Sequence, residues 1–163
     1  DIPNTVHETI LGFHDCHIDM ITVHLSGGEE MLKKAMVAAQ IIKTKVIGVS
    51  ILTSLNESDS LILFNNNLDD QIENLFKLAK KTNIDGIVCS PHEVEVANLI
   101  LDSNSIKITP GIRDLQFKDD QARTMSAKDA IKQGATFLVI GRPITQAENI
   151  SVALKNFCDS IDG

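Results

Sequence analysis

Short, nearly unbroken apolar runs alternate with helical stripes along this chain, and that alternation limits the fold more than any other feature. The runs are DMITVHL (19–25), KVIGVSIL (45–52), GIVCS (86–90), IKITPGI (106–112) and FLVIG (137–141). A strand with one wet face alternates apolar and polar residues, whereas a strand covered on both faces has no such need. The five runs therefore read as parallel strands buried on both sides. Between them, Met31, Leu32, Ala35, Met36 and Ala39 form one stripe, and Ile72, Leu75, Phe76 and Ala79 another, both at helical spacing. Ser26 with Glu29 and Ser90 with Glu93 fit capping boxes, and Pro91 suits a first helical position. Ser126 opens a helix that Gly134 can close, and a last helix is expected over 152–161. This order specifies an α/β fold with a parallel sheet.

Five strands in 163 residues, 43% of them hydrophobic, suffice for one core, so residues 1–163 are expected to form a single domain. Two architectures fit. One is a TIM (β/α)8 barrel represented by strands 4 to 8, which needs about three more βα units ahead of the opening DIPNTV. The other is an open, doubly wound five-stranded sheet. A net charge of -7 with no dense basic run argues against nucleic-acid binding. The apolar runs fall far short of the roughly 20 residues of a membrane-spanning helix, and no leader-like segment opens the chain. Cys16, Cys89 and Cys158 are odd in number and widely spaced, which fits reduced thiols in a cytoplasmic protein. No histidine or carboxylate cluster suggests a metal.

In either fold the chemistry gathers where the strands end. Those ends carry Ser26, Gly27 and Gly28; Thr53 and Ser54; Ser90; Pro110 to Arg113; and Gly141 with Arg142. Glycine exposes backbone N–H groups and arginine supplies a planar cationic fork, a pairing suited to phosphate. Glycine also simply ends strands, and arginine is common on surfaces, so that reading competes with a structural one. The polar stretch RDLQFKDDQAR (113–123) is long for a βα loop and fits either a lid, with Gln121 able to donate and accept, or a solvated turn. His24, ending its strand beside Ser26, is a candidate pocket residue, and Glu57 to Asp59 reads as solvated loop.

Taken together, these segments resemble orotidine 5′-phosphate decarboxylases. DIPNTV is similar to the end of that family's D-x-K-x-x-D-I-P-x-T signature, VHLSGG to its fourth strand, and ILTS to its fifth. DGIVCS resembles the sixth strand, TPGIR the seventh, the Asp120-Gln121 pair the lid, and VIGRPIT the eighth. The matches follow the family's order across essentially the whole chain.

The resemblance implies a TIM barrel acting as a homodimer with shared sites, converting orotidine 5′-phosphate to UMP and CO2 with no metal or organic cofactor. It implies that Asp1 is the signature's last aspartate, reaching a partner's site, with Ile2 and Thr5 beside it and Thr5 toward the ribose. Thr53 is implied to meet the pyrimidine, Gln121 to span base and phosphate, and Gly141 with Arg142 to hold the phosphate. Pro110 and Arg113, at the root of the lid, complete the implied binding set. The signature's lysine, the family's proton donor, stands ahead of the position of Asp1 and is absent from these residues. No arginine here can replace it, because guanidinium does not release its proton near neutral pH. The chain alone is therefore expected not to decarboxylate. Two other readings compete: a sister barrel acting on a sugar phosphate of the 3-keto-gulonate 6-phosphate type, and a non-catalytic phosphate-ligand-binding domain.

Overall fold

The computed structural model describes residues 1–113 and 125–162. Helix α1 (Pro3–Leu11) leads into β1 (Met20–His24), a 3-10 turn (Leu25–Gly27) and α2 (Gly28–Ile42). Strand β2 (Lys45–Val49) is followed by two helices, α3 (Glu57–Phe64) and α4 (Leu68–Lys81). Next come β3 (Gly86–Val88), a 3-10 turn (Pro91–Glu93), α5 (Val94–Ile100), β4 (Ile106–Thr109) and α6 (Ala127–Gln133). The chain finishes with β5 (Phe137–Leu138), the short α7 (Arg142–Thr145) and α8 (Ile150–Asp162).

All five strands are parallel and lie in the order β1-β2-β3-β4-β5. A doubly wound sheet reverses its order at a switch point, where helices pass to the second face. No reversal occurs here, so the chain winds one way only, as a segment of a (β/α)8 barrel does.

The register divides the side chains between two faces with period two. Ile21, Val23, Val46, Ile87 and Leu138 fall on one face, and all five belong to hydrophobic clusters shared with the helices. The larger cluster takes Met31, Leu32, Ala35 and Ala39 from α2 and Ile72, Leu75, Phe76 and Ala79 from α4, while Met36 is only partly buried. A smaller cluster joins Ile112, Ala127, Ala130, Ala135 and Phe157 under β5. Each fully buried aliphatic or aromatic side chain contributes about 1.5–3 kcal/mol, so these stripes hold the helices to the sheet.

The opposite, inner face is open only in part: Ile47, Gly86 and Ile106 are buried in its centre. Thr22, His24, Lys45 and Phe137 on it are exposed, and Met20, Val49, Val88 and Ile108 are only half-buried. Strands β1 and β5 form the two edges of the sheet.

Several local expectations change. The Glu57–Asp59 segment is not loop but the first turn of α3, because the Asn56 side chain accepts from the Ser58 and Asp59 N–H groups and Asp59 answers with a bond from the Asn56 N–H. Helix α2 starts at Gly28 with no side-chain cap from Ser26. The last strand stops at Leu138 instead of running to Gly141, and the last helix starts at Ile150, two residues early. Ser126 and Gly134 act as expected: the Ser126 hydroxyl accepts from the Asp129 N–H, and Gly134 closes α6 at φ 108°.

Candidate functional site

Parallel strands bring all five C-terminal ends to one rim. At the β1 and β2 ends the rim opens into a cavity of about 410 Å³ lined by Asp1, His24, Ser26, Gly27, residues 50–52, Leu55 and Phe64. His24 thus faces the pocket, as its place at the strand end suggested. The Leu55 N–H donates to the Leu52 carbonyl at 2.9 Å, closing a turn that carries Thr53, half-buried, beside the cavity. Asp1 sits on the cavity of its own chain, whereas the family resemblance directs it to a partner. Ile2 is 67% exposed and Thr5 is exposed, both at the start of α1 and outside the cavity lining.

The glycine–arginine pairs stand at the far end of the sheet. Pro110 is half-buried, and Gly111 takes φ 79° with its carbonyl accepting from the Met125 N–H at 3.3 Å. Arg113 is buried, and its Nη1 donates to the Ile112 carbonyl at 2.9 Å. Gly141 and Arg142 are exposed at the N-terminus of α7, with nothing within 4 Å of where a Gly141 Cβ would stand. That backbone is open to a ligand. Among the described residues, then, the expected site falls into two groups: Asp1 with the Thr53 turn at β1 and β2, and Arg113 with Gly141 and Arg142 at β4 and β5. Gln121 lies outside the described residues.

Glu29, expected to cap Ser26, faces two ammonium groups instead. Lys33 Nζ stands 2.7 Å away and Lys81 Nζ 2.6 Å, and these two partners hold its carboxyl down to about 2. Behind the rim lies a buried polar layer, of which sequence reasoning singled out Ser90 and Glu93 but neither Ser50 nor Thr109. Ser50, Ser90, Glu93 and Thr109 are each at most 5% exposed, on the ends of β2, β3 and β4. Burial, helped by the nearby Glu93 charge, pushes the Cys89 thiol well above its usual range, so it stays protonated and is no nucleophile. SPHE in the sequence signals only a cap; the structure adds Ser50 to the same carboxylate. At the opposite rim, a polar groove of about 270 Å³ between Lys45, Asp85 and Asp102 contains none of the expected site residues.

Among the described residues no group of three His, Cys, Asp or Glu is placed to hold a metal ion, and no helix is long and apolar enough to cross a membrane.

Residues 1–157 match the family model described as "Orotidine 5'-phosphate decarboxylase / HUMPS family". The orotidine 5'-phosphate decarboxylase of Wolbachia pipientis subsp. Culex pipiens is 43% identical over 150 residues, covering 91% of this chain and 66% of the relative. That of Carboxydothermus hydrogenoformans is 37% identical over 173 residues, covering 100% of this chain and 71% of the relative. The crystal structure of orotidine 5'-phosphate decarboxylase from Lactobacillus acidophilus superposes with a TM-score of 0.82 at 32% identity, over 100% of this chain and 72% of that one. The chain thus spans about two thirds of the length of the relatives it matches.

Proposed function

The chain belongs to the orotidine 5′-phosphate decarboxylase / HUMPS family, and from that membership we propose that it provides the nucleotide-binding part of an enzyme that decarboxylates orotidine 5′-phosphate to UMP and CO2. The observation that carries the proposal is the family match over residues 1–157, supported by the VHLSGG, ILTS, DGIVCS, TPGIR and VIGRPIT motifs falling at or just after the ends of β1 to β5. In this reading residues 1–163 form one domain, strands 4 to 8 of a TIM barrel.

Loss of CO2 leaves a carbanion at C6 of the pyrimidine, in conjugation with no ordinary electron sink. A nearby ammonium stabilises that charge and then protonates it. That ammonium belongs to the signature lysine, ahead of Asp1. The residues present here bind and orient. Gly141 and Arg142 hold the phosphate, Pro110 and Arg113 belong to the same substrate-binding set, and Gln121 spans phosphate and base. Thr53 meets the pyrimidine, Thr5 lies toward the ribose with Ile2 beside Asp1, and Asp1 supplies a carboxylate that orients the lysine and disfavours the substrate carboxylate. No cofactor is assigned.

We also propose a homodimer. Leu61, Ile62 and Leu63 of α3 are 51–79% exposed, an apolar surface that a second copy would cover.

Calorimetric titration of the chain with UMP and with a pentulose phosphate tests the substrate class. Preference for UMP is expected; preference for the pentulose phosphate would assign the chain to the sugar-phosphate branch instead. A polypeptide of residues 1–163 alone is expected to show no turnover, and decarboxylation by such material of confirmed mass would overturn the role given to the signature lysine.

A further inference from the structure

Glu93 is 95% buried, on the 3-10 turn after β3. One of its oxygens, Oε2, accepts from the Ser90 N–H at 3.1 Å and from the Ser50 hydroxyl at 3.4 Å. The first bond is an ordinary cap within one turn. The second reaches across 43 residues to the neighbouring βα unit and has no role in capping. A buried carboxylate is costly unless its hydrogen bonds stabilise it, so a residue needed only as a cap would sit better at the surface.

Ser50 is the link to the site. It is 5% exposed, lines the cavity beside Asp1 and His24, and its N–H donates to the Val88 carbonyl at 3.1 Å. Two residues on, Leu52 to Leu55 form the turn that carries Thr53. Ser50 is therefore held from two directions, by the β3 backbone and by Glu93, at the point where β2 gives way to that turn. The Ser50 contact is long for an O–H···O bond, so its length is set by where the turn places Ser50.

We propose that Glu93 is a positioning residue for the nucleotide site, fixing through Ser50 the height of the turn that presents Thr53 to the base. The inference rests on the reading of Thr53 as a pyrimidine contact. It concerns base recognition alone, because the glycine–arginine groups stand on other strand ends, after β4 and β5.

The test titrates the parent chain, Ser50→Ala and Glu93→Gln with UMP and with ribose 5-phosphate, which keeps sugar and phosphate but has no base. Both variants are expected to weaken UMP by about three- to tenfold, the worth of one ordinary hydrogen bond of about 0.7–1.4 kcal/mol, and to leave ribose 5-phosphate unchanged. Ser50→Ala keeps the cap intact, so it serves even if Glu93→Gln folds poorly. Equal loss of both ligands would mean a general structural role and overturn the proposal, as would UMP affinity that Ser50→Ala leaves unchanged. A parent chain that binds ribose 5-phosphate but gains nothing from the base would instead defeat the nucleotide reading, and this proposal with it.

Discussion

Gly86 opens the central strand β3 and pairs with Ile47 on one side and Ile106 on the other. A methyl group placed there falls 2.6 Å from the Ile106 Cβ and 2.9 Å from its carbonyl carbon, and closer still to its carbonyl oxygen. Since Cβ atoms essentially never approach other heavy atoms within 3.0 Å, β3 and β4 would have to part by at least about 0.7 Å against a normal strand spacing of about 4.8 Å. The Ile106 N–H bond to the Asp85 carbonyl, 3.0 Å in the parent, would then stretch toward the limit of a hydrogen bond. Overpacking costs about 1–3 kcal/mol and a weakened ladder bond about 1 kcal/mol, so Gly86→Ala is expected to destabilise by about 2–4 kcal/mol. Gly27→Ala is the control: its methyl meets the mobile end of the Met31 side chain, which can turn aside, and less than about 1 kcal/mol is expected. Guanidinium denaturation followed by helical circular dichroism measures both. A Gly86→Ala chain within about 0.5 kcal/mol of the parent would refute the claim that the backbone of β4 cannot yield.

Two further outcomes follow from the charges and thiols. Glu29 is depressed to about 2 by Lys33 and Lys81, so its stabilising effect is present above the ordinary carboxylate value of 4.5 and lost as pH falls through about 2. The Tm difference between the parent and Glu29→Gln should be full near neutrality and shrink between those values; a difference that stays constant down to pH 3 would contradict the pairing. Cys16 and Cys158 are exposed and Cys89 is buried with a raised pKa, so a thiol–disulfide reagent at pH 8 should titrate two thiols in the native chain. The third should appear only in denaturant, and three equal rates would show that Cys89 is accessible.

Local interactions made much of this fold legible in the sequence. The Ile72, Leu75, Phe76 and Ala79 stripe becomes the buried face of α4, and Ser126 and Gly134 bound α6, because helical period and capping depend on residues within a turn or two. Five apolar runs become five parallel strands for a similar reason: burial on both faces leaves its mark along each strand separately. Helix α3 escaped because it has no such stripe. Its Leu61, Ile62 and Leu63 face outward, and only the Asn56 cap marks its start.

Tertiary structure decided the pairings across distance. Glu29 gives up the Ser26 cap because Lys81, 52 residues away in sequence, reaches it from the end of α4. Glu93 is legible as a cap for Ser90, yet its bond to Ser50 exists only because β2 and β3 lie in register. The order β1 to β5 likewise excludes the doubly wound alternative, which has the same sequence of elements. Periodicity and caps are set by near neighbours along the chain, whereas these contacts depend on which strands lie side by side, and that is established only when the sheet is assembled.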